Sequence, residues 1–248
     1  MRQIVLTLSY DGTRYAGFQI QKNGVTIQAV LEKTLKSILK TKIRLLSASR
    51  TDAGVHALAH VVSFKTESVI SPPALKRALN SLLPQDIVVK EAKEVSLTFH
   101  PRFDAALKRY RYTIRHHPSR SPFDRLYTTY YPYPLDLSAM RKAARPLVGR
   151  VDFKSFQASD KKERSSIRNI HHLSIREKSP YVIIDVVGDG FLYKMVRNIV
   201  GTLLEVGRGK WAPSEMKKIL SKKNRSKAGF TAPARGLCLL SIRYRSER

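Results

Sequence analysis

Lysine and arginine number 46 against 19 aspartates and glutamates in a chain of 248 residues, a formal net charge of +27. A compact chain with that excess repels itself. Its cations therefore belong on the outer sides of its helices and strands, and a polyanion is the partner that makes sense of them. The cations run through stretches such as "KRYRYTIR" and "MKKILSKKNRSK" rather than gathering in a tail, which describes a folded basic surface and not a disordered arm. Nucleic acid is the first expected partner and an acidic membrane surface the second. With 42% hydrophobic residues the chain has material for a core, and its length suits one large domain or two moderate ones.

Several classes fall away. Cys238 is the single cysteine, so neither an intrachain disulfide framework nor a cysteine-rich metal site is available. Arg2 is followed by an alternating strand pattern rather than the apolar region of a secretory signal. No apolar run approaches the roughly 20 residues of a transmembrane helix. A cytoplasmic protein without a membrane partner is expected.

Periodicity then divides the chain. Ile4, Leu6, Leu8 and Tyr10 alternate as a half-buried strand that closes at Asp11-Gly12. Thr26 suits the cap of a helix whose apolar stripe is Ile27, Val30, Leu31, Leu35, Ile38 and Leu39. Strands are expected at about 43–48 and 59–65, joined by "RTDAGVHA", with a helix starting at Ser71-Pro72 and a strand beginning in "LPQDIVV". After Phe103 a second pass of similar grammar begins. Residues 108–115 alternate Tyr110, Tyr112 and Ile114 with Arg109, Arg111 and Arg115. Ser138 is expected to cap a short helix; strands follow at about 167–176 and 181–187, then a long helix over about 191–206 ending at Gly207 and Gly209, a helix from Ser214, and a final strand in "GLCLLSIRYR". Strands and helices interleave without strict alternation, which predicts an α+β architecture with a mostly antiparallel mixed sheet and flanking helices. The expected division is residues 1–104 and 105–248, each an α/β half.

Chemistry is concentrated in few side chains. Asp52 sits before Ala-Gly, where an aspartate commonly serves only to form a turn. The neighbouring Arg50 and the strand-turn-strand setting also suit a carboxylate held for reaction, and both readings stand on spacing alone. On the long helix, Leu192, Met195, Val196, Ile199, Val200, Leu203 and Leu204 form one apolar side, while Lys194, Arg197, Asn198 and Gly201 share another, expected to line a cleft. Arg197 there is either a solvated cation or a partner for a carboxylate. Tyr110, among cations on a strand, is either a core tyrosine or a platform for stacking a base. His56 and His60 lack the glutamate and third ligand of a zinc site, so no metal is expected. The "GRG" after the long helix is a helix end rather than a phosphate loop, and Cys238 reads as a buried small residue.

Taken in order, "YDGTRYAGFQIQ", "TIQAVLE", "RTDAGVHA", "LPQDI", "FHPRFDA", "RYRY", "GFLYKMVRNIVGTLLEVGRG" and "TAPARGLCL" span nearly the whole chain. In this sequence of motifs the chain resembles the tRNA pseudouridine synthase A family. The resemblance implies a pseudouridine-synthase fold with two similar halves around a central basic cleft. It implies isomerisation of uridine to pseudouridine just 3′ of the anticodon, with base flipping, no cofactor, tRNA as partner and a homodimer. It also implies roles: Asp52 as nucleophile, Arg197 as its orienting partner, Tyr110 as the tyrosine that stacks on uracil with a possible proton-relay role, and Arg50 as a residue that displaces or holds the target nucleotide. From their charge, Arg109, Arg111 and the cations of 217–227 are expected to hold tRNA by its shape and backbone, and Leu237 is expected among the substrate-binding residues. Two positions depart from the family pattern: Ser49 precedes "RTDAG" in place of glycine, and Val151 replaces the histidine of the usual "GxHDFxSF".

These residue types fit the reaction. Pseudouridine formation breaks the N1–C1′ bond and rejoins the base through C5, with no redox change. An ionised carboxylate serves by adding to C6, by capturing C1′, or by removing a ribose proton to give a glycal. Burial raises an aspartate's pKa and a neighbouring guanidinium lowers it, so an arginine answers the problem that burial creates. A phenol with a pKa of about 10 is a poor base at neutral pH, so stacking is the stronger role for Tyr110. The rivals are an inert RNA-binding protein or RNA chaperone on the same scaffold and, more distantly, a metal-dependent RNA hydrolase.

Overall fold

The structure is a computed structural model that describes residues 1–159 and 165–245. Its contacts divide into two compact units, one formed by Met1–Ala106 with the C-terminal segment from Cys238, the other by Leu107–Leu237. Among the described residues no helix is long and apolar enough to cross a membrane.

In the first unit, strand β1 (Arg2–Tyr10) pairs antiparallel with β3 (His56–Thr66) on one side and β4 (Ile87–Val95) on the other, while the short β2 (Leu46–Ser47) adds to β3. The last strand, β10 (Leu237–Tyr244), runs parallel to β3, with Cys238 opposite His56. The final strand thus joins the unit that begins the chain, although in sequence it follows the second. Ile4, Leu6, Leu8 and Tyr10 are all buried, as the alternation requires. The strand is not half-exposed, however: Val5 is buried too, against Ala48 and Val61, with Phe99, Ile242 and Tyr244 packed over them.

Helix α1 (Ile27–Leu39) starts where Thr26 predicts, its hydroxyl accepting from Ala29 N. Gly17 and Phe18 carbonyls accept the next exposed donors, the N–H groups of Ile27 and Gln28, so this helix start is satisfied by the segment that precedes it. Helix α2 (Pro72–Leu82) is capped by Ser71 and packs beside β4, where Asn80 both donates to and accepts from the Val89 backbone. The strand expected over 43–48 contracts to Leu46–Ser47 because Leu45 N donates to the Glu32 carboxylate of α1 instead of to a neighbouring strand.

The second unit contains an antiparallel sheet in the order β5 (Ala105–Arg115), β9 (Tyr181–Gly188), β8 (Ile167–Lys178), β7 (Gly149–Asp152), and β6 (Thr129–Tyr130) pairs parallel with β5. Its buried face carries Tyr112, Ile114, Val182, Ile184, Val186, Ile170 and Ile175. Ile170 and Ile175 are of opposite parity, and both reach that face because the register shifts between Ile170 and His172. Helix α3 (Leu137–Ala144) is capped by Asp136 and not by Ser138: the Asp136 carboxylate accepts from Ala139 N at 2.8 Å, which starts the helix two residues earlier than expected. Helix α5 spans Glu215–Lys222.

The long helix, α4, spans Met195–Gly207, shorter at its start than the pattern from Phe191 suggests. Its second side does not line a cleft at Asn198 and Gly201. Asn198 is fully buried, donating to Phe156 O and accepting from Arg225 and Thr231, and a Cβ on Gly201 would overlap the carbonyl of Phe230. The segment 225–232 of the same unit lies against this side. Periodicity marked the face as different, but did not reveal that the chain itself covers it. Gly201→Ala should therefore cost about 1–3 kcal/mol, because the opposing atom is backbone and cannot rotate away; urea denaturation of the variant beside wild type measures it.

Candidate active site

The loop that carries Asp52 is fixed by main-chain contacts before any side chain is considered. Val55 N–H donates to the Asp52 carbonyl at 3.1 Å, and Gly54 has φ of +75°. That is the left-handed third position a type II turn demands, and glycine takes it without strain. Asp52 is thus a turn residue through its carbonyl, half-buried, between the buried Thr51 and the exposed Ala53.

The turn is tied to residues 10–18. Phe18 N–H donates to Thr51 O at 3.1 Å, and Gly54 N–H donates to Tyr15 O at 3.3 Å. Gly17, with φ of +101°, lets the two segments approach; a Cβ there would lie 2.8 Å from Thr51 O and 3.2 Å from Asp52 C. Beneath them the Tyr10 hydroxyl is 2.8 Å from both Thr51 Oγ1 and His60 Nδ1, and His60 Nε2 is 3.0 Å from Ser49 O. A carbonyl only accepts, so Nε2 carries a proton toward Ser49. Phe18 lies on His60 with ring centroids 4.2 Å apart. Tyr15, in turn, donates to Asp86 of "LPQDI" at 2.5 Å; burial first, then this hydrogen bond, pushes its hydroxyl pKa well above the ordinary tyrosine value.

The histidines thus serve the loop. His60 supports Ser49 and Tyr10, and His56 Nδ1 lies 3.1 Å from both Gly12 N and an Asp11 oxygen. Among the described residues no three His, Cys, Asp or Glu side chains group as metal ligands. Arg50 is exposed beside the loop. Ser49 has an ordinary backbone conformation, so the departure from glycine needs no left-handed strain, and its carbonyl keeps the His60 contact. Val151 is half-buried on β7, opposite Arg168.

In the second unit, Tyr110 is 6% exposed on β5, and Phe191 meets its ring edge-on with centroids 5.1 Å apart. Phe191 precedes α4 rather than belonging to it. Arg197, half-buried near the start of α4, donates from Nε to Ala232 O at 2.7 Å, and Ala232 N–H returns a bond to Arg197 O at 3.1 Å. This reciprocal pair sets the guanidinium's orientation from the "TAPARG" segment. Tyr112 is fully buried, its hydroxyl donating to Pro233 O at 2.8 Å and 2.6 Å from Thr129 Oγ1. Burial raises its pKa well above the usual tyrosine range despite the opposing Thr129 bond and the guanidinium charges of Arg197 and Arg235. Leu237 is buried at the end of the turn that follows Pro233.

Arg109 and Arg111 point to the other face of the sheet. There the Asp185 carboxylate, 2% exposed, is held by Arg111 Nε at 2.8 Å and Nη2 at 3.0 Å, by Arg109 Nη2 at 3.0 Å and by Arg176 Nη2 at 2.7 Å. Sequence reading missed Phe191, Ala232, His60 and Asp185. Each acts through a partner distant in sequence, although all but Asp185 and His60 lie inside quoted motifs.

The comparisons with known proteins agree along the chain. The family model described as "tRNA pseudouridine synthase" matches residues 7–104 and 143–245. The chain belongs to that family. The synthase is 47% identical over 244 residues to tRNA pseudouridine synthase A of Clostridium acetobutylicum, and 46% identical over 244 residues to that of Thermoanaerobacter pseudethanolicus. Each alignment covers 98% of this chain and 100% of the relative. Among solved structures, a chain of a Cbf5-Nop10-Gar1 complex aligns with 96% of the synthase and 48% of its own length, at 13% identity and a TM-score of 0.44.

Tyr10→Phe in the synthase should cost about 1–3 kcal/mol, because it removes a hydroxyl shared by two buried partners; a thermal or urea unfolding curve checks this. A second expectation concerns acid. Burial pushes the Asp185 carboxyl up, but the hydrogen bonds and charges of Arg111 and Arg109 outweigh it and leave the carboxyl below the usual value of 3.8. A depressed carboxylate stabilises the fold above its unfolded-state pKa and loses that contribution as pH falls through the folded-state value. Stability measured from pH 5 downward should fall less steeply in Asp185→Asn than in wild type.

Proposed function

We propose that this isomerase converts uridine to pseudouridine in the anticodon arm of tRNA, with Asp52 as the nucleophile. The observation that carries the reading is the anchored Asp52 loop: Thr51, Gly54 and Ser49 are each bonded to a different residue of the surrounding structure, so the carboxylate rises from backbone that is already set. An aspartate needed only to turn the chain would not require this scaffold. A nucleophile does, since small misplacement of a reacting group is costly in rate.

Arg197 is the partner proposed to orient Asp52 and keep it ionised, as the family resemblance implies. Its reciprocal tie to Ala232 supports that role by restricting the guanidinium before substrate arrives. Tyr110, its ring held by Phe191, is proposed to stack on the extruded uracil, where a fixed aromatic face reduces the ordering needed on binding. Arg50, exposed beside the loop, is proposed to hold the flipped nucleotide, and Leu237 to cap its apolar side. Extruding the base costs a few kcal/mol, which phosphate contacts of a +27 protein offset.

The atoms balance without a second reactant. The N1–C1′ bond breaks, a C5–C1′ bond forms, and the proton displaced from C5 is matched by one gained at N1. The three routes for the carboxylate share one requirement, an ionised Asp52, and two of them pass through a covalent adduct. A homodimer is the proposed working form, as the family resemblance implies, in the cytoplasm that the single cysteine and the alternating start of the chain favour; sedimentation equilibrium tests the dimer.

Asp52→Ala should abolish pseudouridine formation while leaving the Kd for tRNA within about threefold, because phosphate contacts supply most of the affinity. Product mapping along a tRNA transcript together with filter binding separates the two; wild-type turnover in the variant would defeat the nucleophile assignment, and loss of binding alone would favour an RNA-binding role. Arg197→Lys keeps the charge but loses the planar fork, and should lower kcat on the order of 100-fold.

A further inference from the structure

The face of the second unit's sheet opposite Tyr110 carries an arrangement that the proposed reaction does not use. Asp185 lies directly across from Arg111 in the β5–β9 register, Arg109 is one step diagonal to it, and Arg176 on β8 is diagonal from the other side. All three guanidiniums converge on one carboxylate, which is 2% exposed, while the side chains of Arg109, Arg111 and Arg176 are 43%, 32% and 57% exposed. By the same register Arg115 and Lys178 stand farther along this face, Arg115 paired with Asp124 at 3.2 Å.

One bidentate arginine is enough to compensate a buried aspartate, and Arg111 already supplies it with Nε and Nη2 on the two oxygens. Arg109 and Arg176 then bring surplus positive charge to a point where guanidiniums repel one another. As a device for stability this is poor: a single buried carboxylate gains little from a third cation that is more than half exposed. The arrangement does fix three cations at the strand spacing of a pleated surface, with their outward edges in solvent. Each of Arg109 and Arg176 contacts Asp185 through Nη2, and each side chain stays well exposed beyond that contact.

We propose that Asp185 is a positioning residue that presents Arg109, Arg111 and Arg176 as a preorganised binding surface for the phosphate backbone of tRNA, separate from the uridine-binding residues. The occupant is argued from charge: the cluster is net positive by two, counting three arginines against one aspartate, and arginine forks match phosphate geometry. The proposal rests on tRNA being the substrate, and it assigns Arg176 and Asp185 a role that no reacting-site argument gives them. Guanidiniums already ordered lose less freedom on meeting phosphate, so the carboxylate aids affinity although its own charge opposes the ligand.

That opposition supplies the test. Asp185→Asn removes a negative charge, so simple electrostatics predicts equal or tighter tRNA binding, whereas preorganisation predicts weaker binding. The experiment measures Kd for an unmodified tRNA transcript over a range of salt, together with KM and kcat for pseudouridine formation, in wild type, Asp185→Asn and Arg176→Gln. Expected are a Kd and KM about 3- to 10-fold higher in both variants, kcat unchanged at saturating tRNA, and a salt slope smaller by about one in Arg176→Gln. Should Asp185→Asn fail to fold, Arg176→Gln carries the test, since its side chain is largely solvated.

Unchanged Kd and salt slope in Arg176→Gln, or tighter binding by a folded Asp185→Asn, would overturn the proposal. So would a changed sedimentation mass in Arg176→Gln at constant tRNA affinity, which would make this face an interface between protein chains. Wild-type protein that binds tRNA yet forms no pseudouridine would sink the catalytic reading instead, and the binding arms would still decide this one.

Discussion

The hydrogen bonds that join residues 10–18 to the Asp52 loop are the constraint on which the first unit's candidate site depends. Phe18 N–H and the Tyr10 hydroxyl hold Thr51 from its two ends, Tyr15 O holds Gly54, and His60 holds Ser49. The same short segment supplies the carbonyls that satisfy the first turn of α1. The loop bearing Asp52 is thereby coupled to a helix start and to two strands, so its backbone is set by the surrounding structure. Loops carry function most effectively when a rigid scaffold sets their ends.

A comparable arrangement operates in the second unit with different materials. Helix α4 is buried almost throughout, its apolar side in the core and its Asn198–Gly201–Thr202 side under the segment 225–232. Asn198 is satisfied by three partners from three places in the chain, which registers that segment against the helix. Ala232 and Pro233 follow directly, and they set Arg197 and Tyr112. The "MVRNIVG" and "TAPARG" motifs therefore work as one object. Their residues are small or polar where the backbones meet, since a Cβ at Gly201 would have no room.

Charge acts at two scales. Across the whole molecule, +27 provides long-range attraction for a polyanion and a steep dependence on salt. Locally, the same cations are held by the few carboxylates available: Asp185 gathers three arginines, and Glu205, buried at the end of α4, is 2.6 Å from Arg208 and 3.2 Å from Lys210. With so few acidic residues, each one that is buried fixes the geometry of several cations.

The linear sequence determined the elements whose cause is local. Alternation marked β1 and β5, the 3.6-residue stripe and Thr26 marked α1, Ser71-Pro72 marked α2, the irregular interleaving of strands and helices marked the α+β class, and the motif string marked the family. It also marked Asp52, Tyr110 and Arg197 as the residues to watch, through motif position rather than through any visible contact. Only the tertiary structure decided what depends on distant partners. It covered the second face of β1 at Val5, replaced Ser138 by Asp136 as a cap, began α4 at Met195, covered Asn198 and Gly201 of α4 with residues 225–232, and turned Arg109 and Arg111 toward Asp185. The physical reason is separation along the chain. Capping, turns and periodicity act over a few residues and leave their signature in the letters, whereas Tyr10 with His60, or Arg111 with Asp185, are fifty or more positions apart and become neighbours only when strands take their register.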